Sequence, residues 1–562
     1  MGCDHDPIGL SSPSGFRKSH NFQKAISKNL NQKAKFQTMQ SQQEKNTNSH
    51  SVEDDDSGAY VNQLMTRARL AQAKIEFASQ QEIDDLVTRL AWACVQPDLA
   101  KSAAETLVAE SGMGVVEDKI RKIMVKVKGT LRDMKGKRSV GIVHDDKEKG
   151  ILKIAKPMGV IAAIIPITNG EATPMVKAIS AIKTRNAIIM SPPRKGIKTT
   201  TLVVNRMREV LKKQGYPEDL IIVVDKVSRE GTRDLMQQAD LVLATGGDKM
   251  VKAAYSSGTP SQGVGAGNAV SVVDETADLP DVANKVMRSK TFDHATSCST
   301  ENSILIQEQK YDALVKELEK VGGYLCSSEE KENLQKAMWN SETGALNGCI
   351  VAQPASKIAQ LAAIDLPQGK KFLMVEETGI GKGYPFSTEK LSVTVTLYKW
   401  KDFSQAVSMV NDITTYSGAG HSCGIHTNND DRVKELSTMV KVSRVMVRQP
   451  QCLANSGSWT NGMPMTMTLG CGSWGGNATT ANVTWENLLN YTWVAYPIAS
   501  TEPTDEELFG DLITKEESIT DSNSSAEDDT PPVFDYNTRS LSGGFVIEKK
   551  RSITRLMVRL GV

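Results

Sequence analysis

The chain has 562 residues, enough for two or three domains with sizeable cores. Its 67 Lys and Arg nearly cancel its 66 Asp and Glu, so no global field favours nucleic acid or an anionic membrane. No run reaches the ~18 apolar residues of a membrane-spanning helix, and eight scattered cysteines without a CxxC pair read as neither zinc site nor disulfide framework.

Residues 1–58 are rich in Ser, Asn, Gln and Lys and end in Glu53-Asp54-Asp55-Asp56. They hold too little apolar surface to fold alone and read as a disordered leader. With no apolar signal segment behind Met1, a reducing, cytoplasmic setting is the expectation. From Tyr60 a helical period appears (Val61, Leu64, Met65, Ala68, then Ile83, Leu86, Val87, Leu90), predicting two or three helices up to about residue 125.

Between 150 and 310, short β-branched runs alternate with helical stretches. Strands are predicted at Val160–Ile167, Ala187–Met190, Leu220–Val224, Leu241–Ala244 and Ala269–Val273, with helices at 199–213 and 229–238. Buried strands separated by helices point to parallel sheets in an α/β architecture. A second alternating block follows: helices 309–321 and 328–339, strands 372–375 and 391–397, helix 403–411, and strands 423–427 and 444–448. Residues 501–545 turn acidic and read as linker. Over 546–562, Ile553, Leu556, Met557 and Leu560 share one helical face and Arg551, Arg555 and Arg559 another, a basic amphipathic helix suited to docking on the enzyme itself, a partner or a lipid surface.

Three segments carry chemistry. Cys298 sits among small and hydroxylated residues (Ala295-Thr296-Ser297-Cys298-Ser299-Thr300) at the entry to the apolar run Ser303–Ile306. A thiol there is a candidate nucleophile, its pKa lowered if peptide N–H groups or a helix N-terminus face the sulfur; inert packing is the competing reading. His294 is a candidate proton acceptor or a structural histidine. The loop Gly263-Val264-Gly265-Ala266-Gly267-Asn268 contains no carboxylate, so a thioester on Cys298 lacks the base that directs water onto it.

Thr168-Asn169 ends the strand that begins at Val160, where ligands approach open α/β sheets. The Asn169 amide, with the Cys298 N–H, is a candidate oxyanion donor or else a turn residue. Leu241–Ala244 runs into Thr245-Gly246-Gly247 and a helix from Asp248, suited to a pyrophosphate at a helix N-terminus. Ser191-Pro192-Pro193-Arg194-Lys195 ends another strand with a hydroxyl and two cations, suited to ribose, a 2′-phosphate or coenzyme A phosphates.

Together with Leu469–Asn477, these segments resemble the acylating, coenzyme A-dependent aldehyde dehydrogenases over roughly residues 60–510. The resemblance implies an aldehyde dehydrogenase-like fold of two Rossmann-type α/β domains: nucleotide-binding over 59–262 with a return segment near 465–500, and catalytic over 263–464. It implies an aldehyde oxidised with NAD or NADP and passed to coenzyme A through a Cys298 thioester, with Asn169 as oxyanion donor. Thr168, Ser191, Pro192, Thr245, Gly246, Gly247, Gly265 and Gly267 are then cofactor-binding, and Glu389 holds the nicotinamide ribose. His421 is a candidate for assisting the coenzyme A thiol, or a structural histidine.

Hydrolytic relatives carry a glutamate base near Gly263, which this chain lacks. Within the family, Phe292–Asn302, Met374–Gly379, Gly420–Thr427 and Asp505–Gly510 resemble the branch acting on sulfoacetaldehyde, with succinate semialdehyde and acetaldehyde as alternatives. Arg448 is the candidate cation for a sulfonate, although a solvated or structural arginine fits its position too. The resemblance implies no metal and a homodimer or homotetramer. A scaffold of the same fold, recruited to an assembly or compartment by its tails, is the alternative from another class.

Overall fold

The computed structural model describes residues 55–513, 533–535 and 540–542. The expected leader up to residue 54 and the tail helix over 546–562 therefore lie outside the described residues. Four helices open the described chain: Asp55–Ile75, Gln80–Cys94, Pro97–Ser111 and Val116–Met134. The first begins inside the segment read as leader, because Val61, Leu64, Met65 and Ala68 bury a stripe that holds its N-terminal turn in register.

The breaks between these helices have local causes. Ser79 and Glu82 form a capping box, Pro97 occupies the first turn of the third helix, and Gly112 ends that helix in the left-handed conformation at φ 70°.

Two strands absent from the sequence reading follow: β1 (Gly141–Asp146) and β2 (Ile151–Pro157), paired antiparallel. Only Ala155 is buried in the two strands, so neither carries the buried apolar run that marks a strand in the sequence. The first parallel sheet then forms from β3 (Val160–Ile164), β4 (Ala187–Ser191), β5 (Ile221–Val223), β6 (Leu241–Thr245) and β7 (Ser261–Val264), in the order β5-β4-β3-β6-β7. Every residue of β3 and β4 is buried, which explains their unbroken apolar runs. The chain builds outward from β3 to β5, then returns to lay β6 on the other side of β3. The strand order therefore reverses between β3 and β6, and their carboxyl ends flank a ligand crevice. The strand expected to run to Ile167 stops at Ile164, since Pro166 leads into a 3₁₀ turn at Ile167–Asn169.

The second parallel sheet comprises β8 (Ala269–Val273), β9 (Glu301–Gln307), β10 (Gly323–Leu325), β11 (Phe372–Glu376), β12 (Thr394–Trp400), β13 (Cys423–His426) and β14 (Val445–Val447), ordered β10-β11-β12-β9-β8-β13-β14. The strand expected at 391–397 starts at Thr394, because Leu391 has left-handed backbone at φ 42°. Late in the chain β15 (Leu489–Ala495) pairs antiparallel with β2. Val483, Trp485 and Leu488 return there to the core of the first sheet.

From Pro497 a separate unit begins. Inside the segment read as linker it contains the helix Asp505–Phe509, started by a Thr504–Glu507 capping box, and the antiparallel pair β16 (Val533–Asp535) and β17 (Ser540–Ser542). Among the described residues, no helix is long and apolar enough to cross a membrane.

Ile161 is fully buried and its strand is paired on both sides, with Ile188 and with Leu241. Ile161→Ala should destabilise the protein by about 2–5 kcal/mol through lost burial and a residual cavity, read as a lower denaturant midpoint at unchanged m-value.

Candidate active site

The site forms where the carboxyl ends of β3 and β6 meet loops at the amino ends of strands in the second sheet. Cys298 precedes β9, the Gly265–Gly267 loop precedes β8, and His421 precedes β13. The segment leading to Cys298 is strained: Asp293, His294 and Ala295 all have positive φ, at 50°, 50° and 62°. The Asp293 carboxylate holds this conformation by accepting four bonds. They come from the Val115 N–H (2.7 Å), Lys119 Nζ (3.0 Å), Lys122 Nζ (2.6 Å) and Thr296 Oγ1 (2.7 Å). Gly267 lies flush against the thiol's backbone, so a Cβ there would sit 2.0 Å from the Cys298 carbonyl oxygen.

An imidazole meets the sulfur, and it belongs to His421. Its Nε2 lies 3.2 Å from Cys298 Sγ and its Nδ1 2.8 Å from Ser422 Oγ. When Nδ1 carries the proton and donates it to Ser422, the Nε2 lone pair faces the thiol. Burial, reinforced by Arg444, pushes the imidazole down to about 3, so it is neutral at physiological pH. Burial, with Glu389 and Cys471 as further contributors, pushes the Cys298 thiol well above its usual range. The resting pair is a neutral thiol beside a neutral imidazole, burial outweighing the peptide dipoles on which a lowered thiol pKa was conditional. Among the described residues no hydrogen bond joins His294 to Cys298. Burial lowers the pKa of its half-buried ring.

Asn169 faces the same space. Its Oδ1 accepts from Lys122 Nζ at 2.6 Å, and its Nδ2 donates to Thr168 Oγ1 at 3.1 Å. Lys122 also stands 3.1 Å from Glu171 and is buried with Lys119, Glu171 and Asp293 in a quartet of balanced charge. Burial disfavours its ammonium, but Asp293 and Glu171 more than offset that and hold the proton firmly. One cation thus fixes the direction of the Asn169 amide and the strained turn before Cys298.

Cys298, Asn169, Thr245 and Val264 all line one cavity of about 260 Å³. Its wall includes Arg121, Lys122, Lys126 and Arg288 and, among the described residues, no carboxylate. Next to Gly263, the side chain presented to the cavity is therefore the apolar Val264. Two of these cations, Lys122 and Lys126, were hidden in the sequence on the helix Val116–Met134. With Lys119 of the buried quartet they share a buried face with Ile123 and Val127, and lysines interleaved with an apolar helical stripe are the signal that marks them.

The remaining sequence-selected residues divide. Thr245 leads through Gly246 and Gly247 into the helix Asp248–Tyr255, whose start has no side-chain cap. A Cβ at Gly247 would meet nothing within 4 Å, so the approach to the helix start is open. These features fit a phosphate-bearing nucleotide. Gly267 N–H donates to Glu389 Oε1 at 3.0 Å, bringing that carboxylate beside the glycine loop. Gly265 lies two residues before it. Ser191 and Pro192 are buried at the end of β4, the hydroxyl 3.3 Å from Thr232 Oγ1, while Arg194 and Lys195 are exposed.

Arg448 has left-handed backbone at φ 53°, and its side chain runs to the Thr427 carbonyl (2.7 Å) and towards Asp430 (3.9 Å), whereas its neighbours Gln449 and Pro450 line the cavity.

A model of the aldehyde dehydrogenase family matches residues 32–325. Sulfoacetaldehyde dehydrogenase from Acholeplasma sp is 44% identical over 451 residues, covering 80% of this chain and 93% of that protein. The acylating sulfoacetaldehyde dehydrogenase of Bilophila wadsworthia is 43% identical over 458 residues, covering 81% and 99%. This chain belongs to the acylating aldehyde dehydrogenase family. A solved acetylating aldehyde dehydrogenase from Geobacillus thermoglucosidasius superposes with a TM-score of 0.77 at 34% identity, covering 80% of this chain and 99% of its own. As an acylating aldehyde dehydrogenase, the chain is an enzyme and not a scaffold left by lost catalysis.

Two outcomes test the site geometry of this acylating aldehyde dehydrogenase. Gly267→Ala must displace backbone at Cys298, and acylation measured by single-turnover nucleotide reduction should fall roughly 100-fold in a folded protein. Because burial raises the thiol, alkylation of Cys298 by iodoacetamide should keep accelerating from pH 6 to beyond pH 9. A plateau below pH 7 would reveal a stable thiolate instead.

Proposed function

We propose that this enzyme converts sulfoacetaldehyde, a nicotinamide nucleotide and coenzyme A to sulfoacetyl-CoA and the reduced nucleotide. The observation that carries the reading is the cavity wall at Cys298, with four cations and no carboxylate among its described residues. That wall attracts an anionic aldehyde. It also offers no carboxylate to activate water against an acyl-enzyme. The 44% and 43% identities to sulfoacetaldehyde dehydrogenases support the same substrate.

In this reading the first sheet with its return strand, residues 59–262 and 465–500, binds the nucleotide, and residues 263–464 carry the nucleophile. Cys298 Sγ attacks the aldehyde carbon as its proton passes to His421 Nε2. The developing oxyanion takes hydrogen bonds from Asn169 Nδ2 and the Cys298 N–H. A bound nicotinamide supplies the acceptor for the hydride released as the carbonyl re-forms and the Cys298 thioester appears. Thr168, Thr245, Gly246, Gly247, Ser191, Pro192, Gly265, Gly267 and Glu389 are the residues that would hold the nucleotide.

With Val264 and no carboxylate on the wall, the thioester persists until the coenzyme A sulfur attacks. His421, having given its first proton to solvent, accepts the proton of the coenzyme A thiol and returns it to Cys298 as that sulfur leaves. The exposed Tyr491 and Trp493 on β15 offer a self-association face for a homodimer or homotetramer. The setting we infer is cytoplasmic, with recruitment to a compartment through a terminal extension as the variant reading.

Mass spectrometry of the product, with NAD or NADP and with or without coenzyme A, tests the reading. The expected product is sulfoacetyl-CoA, with free sulfoacetate below a few per cent of turnover when coenzyme A is omitted. Full-rate release of the free acid without coenzyme A would overturn it. Succinate semialdehyde or acetaldehyde outrunning sulfoacetaldehyde in kcat/KM would reassign the substrate. Cys298→Ala should abolish turnover with every aldehyde.

A further inference from the structure

Of the cations on the cavity wall, Lys126 differs from the rest. Arg121 and Arg288 are exposed at the rim, where water competes for any anion and selectivity is small. Lys122 is buried but already committed to Asp293 and Glu171. Lys126 is 7% exposed, and among the described residues no carboxylate oxygen lies within ion-pair distance of it. Its Nζ donates to the carbonyls of Ser456 (2.9 Å) and Gly457 (2.8 Å) and lies 3.8 Å from Met465 Sδ. A buried ammonium resting on two carbonyls and a thioether has an uncompensated charge, and such a charge is costly unless an anion joins it.

The spacing fits a short substrate. Lys122 and Lys126 stand one turn apart on the helix Val116–Met134, so their side chains arise roughly 5–6 Å from each other on one face. Lys122 is bonded to Asn169, which in the proposed function marks the carbonyl end of the aldehyde. An anion one methylene beyond the carbonyl carbon falls within reach of the next turn.

We propose that Lys126 is the specificity-determining residue of the cavity, binding the sulfonate of a two-carbon aldehyde in the position where no carboxylate of the protein neutralises it. This rests on the substrate reading above and names the group that discriminates within it. Lys126 faces Lys122 and Asp133 from its own helix, Cys452 from the helix Gln451–Ala454, and the uncharged Ser456–Gly457 loop. Burial pushes it down to about 7 in the empty cavity. Its ammonium is therefore present below that pH and lost above it. Preference for an anionic aldehyde should decline as pH rises through 7, a trend isolated by taking ratios to a neutral aldehyde, in which the Cys298 titration cancels.

The test is kcat/KM for sulfoacetaldehyde, succinate semialdehyde and neutral propanal with the unaltered enzyme, Lys126→Met and Lys126→Arg, from pH 6 to 9. Lys126→Met should lose roughly 10- to 100-fold on sulfoacetaldehyde and keep propanal within about threefold. Lys126→Arg should restore part of the loss, and its sulfoacetaldehyde-to-propanal ratio should become flat with pH, because guanidinium stays charged. Equal losses on both aldehydes would mean that Lys126 only ties down the Ser456–Gly457 loop, and would overturn the proposal. An undiminished ratio in Lys126→Met would overturn it as well. If succinate semialdehyde is the better substrate and it alone suffers in Lys126→Met, the sulfoacetaldehyde reading fails while an anion anchor at Lys126 stands.

Discussion

The Asp293 carboxylate and its ring of donors are the constraint on which the rest of the site depends. Three successive residues with positive φ are an expensive approach to a nucleophile, each costing of order 1–3 kcal/mol when isolated. They persist because Asp293 accepts from Val115, Lys119, Lys122 and Thr296 at once. The same Lys122 nitrogen reaches Asn169. The thiol-bearing loop of the second sheet and the amide-bearing tip of the first are therefore set by one buried ammonium. Breaking a buried pair of this kind leaves an uncompensated charge, worth about 3–5 kcal/mol.

Around that network the two parallel sheets play unequal parts. The first opens a crevice between β3 and β6, where its strand order reverses, and offers Asn169 and the uncapped helix after Gly247 at the carboxyl ends. The second contributes from its amino ends: the glycine loop before β8, Cys298 before β9 and His421 before β13. Gly267 has no side chain, and the two loops of the second sheet close against each other at a distance that a Cβ would forbid. The electrostatics match this construction. The reacting pair is neutral, with burial raising the thiol and lowering the imidazole, so charge appears only as the reaction proceeds.

Much of this was legible in the chain. The fully buried strands announced themselves as apolar runs, and Ala269–Val273 and the helix at 229–238 match the observed bounds. Cys298, the glycine loop, Asn169 and Thr245–Gly247 were selected from local pattern, and Glu389 from the family resemblance. The small antiparallel sheet was not, since β1 and β2 carry no buried apolar run and β15 finds its partner more than 330 residues away. For Arg448 the sequence left two readings, a sulfonate-binding cation and a solvated or structural arginine, and its left-handed backbone carries the side chain to the Thr427 carbonyl. The lysines of the cavity wall were passed over because long charged side chains on a helix are normally solvated.

The sequence by itself determined the chemistry on offer: a nucleophilic thiol, a glycine-rich approach, strand tips suited to phosphates, and the lack of a carboxylate in the glycine loop. Those features are local, written in residue type and in periods of two or 3.6. Tertiary structure alone decided which imidazole meets the sulfur, whether the thiol rests charged, and which cations face the substrate. Each of those depends on burial and on groups more than a hundred residues apart in the chain, and no local pattern encodes the dielectric or the neighbours that folding supplies.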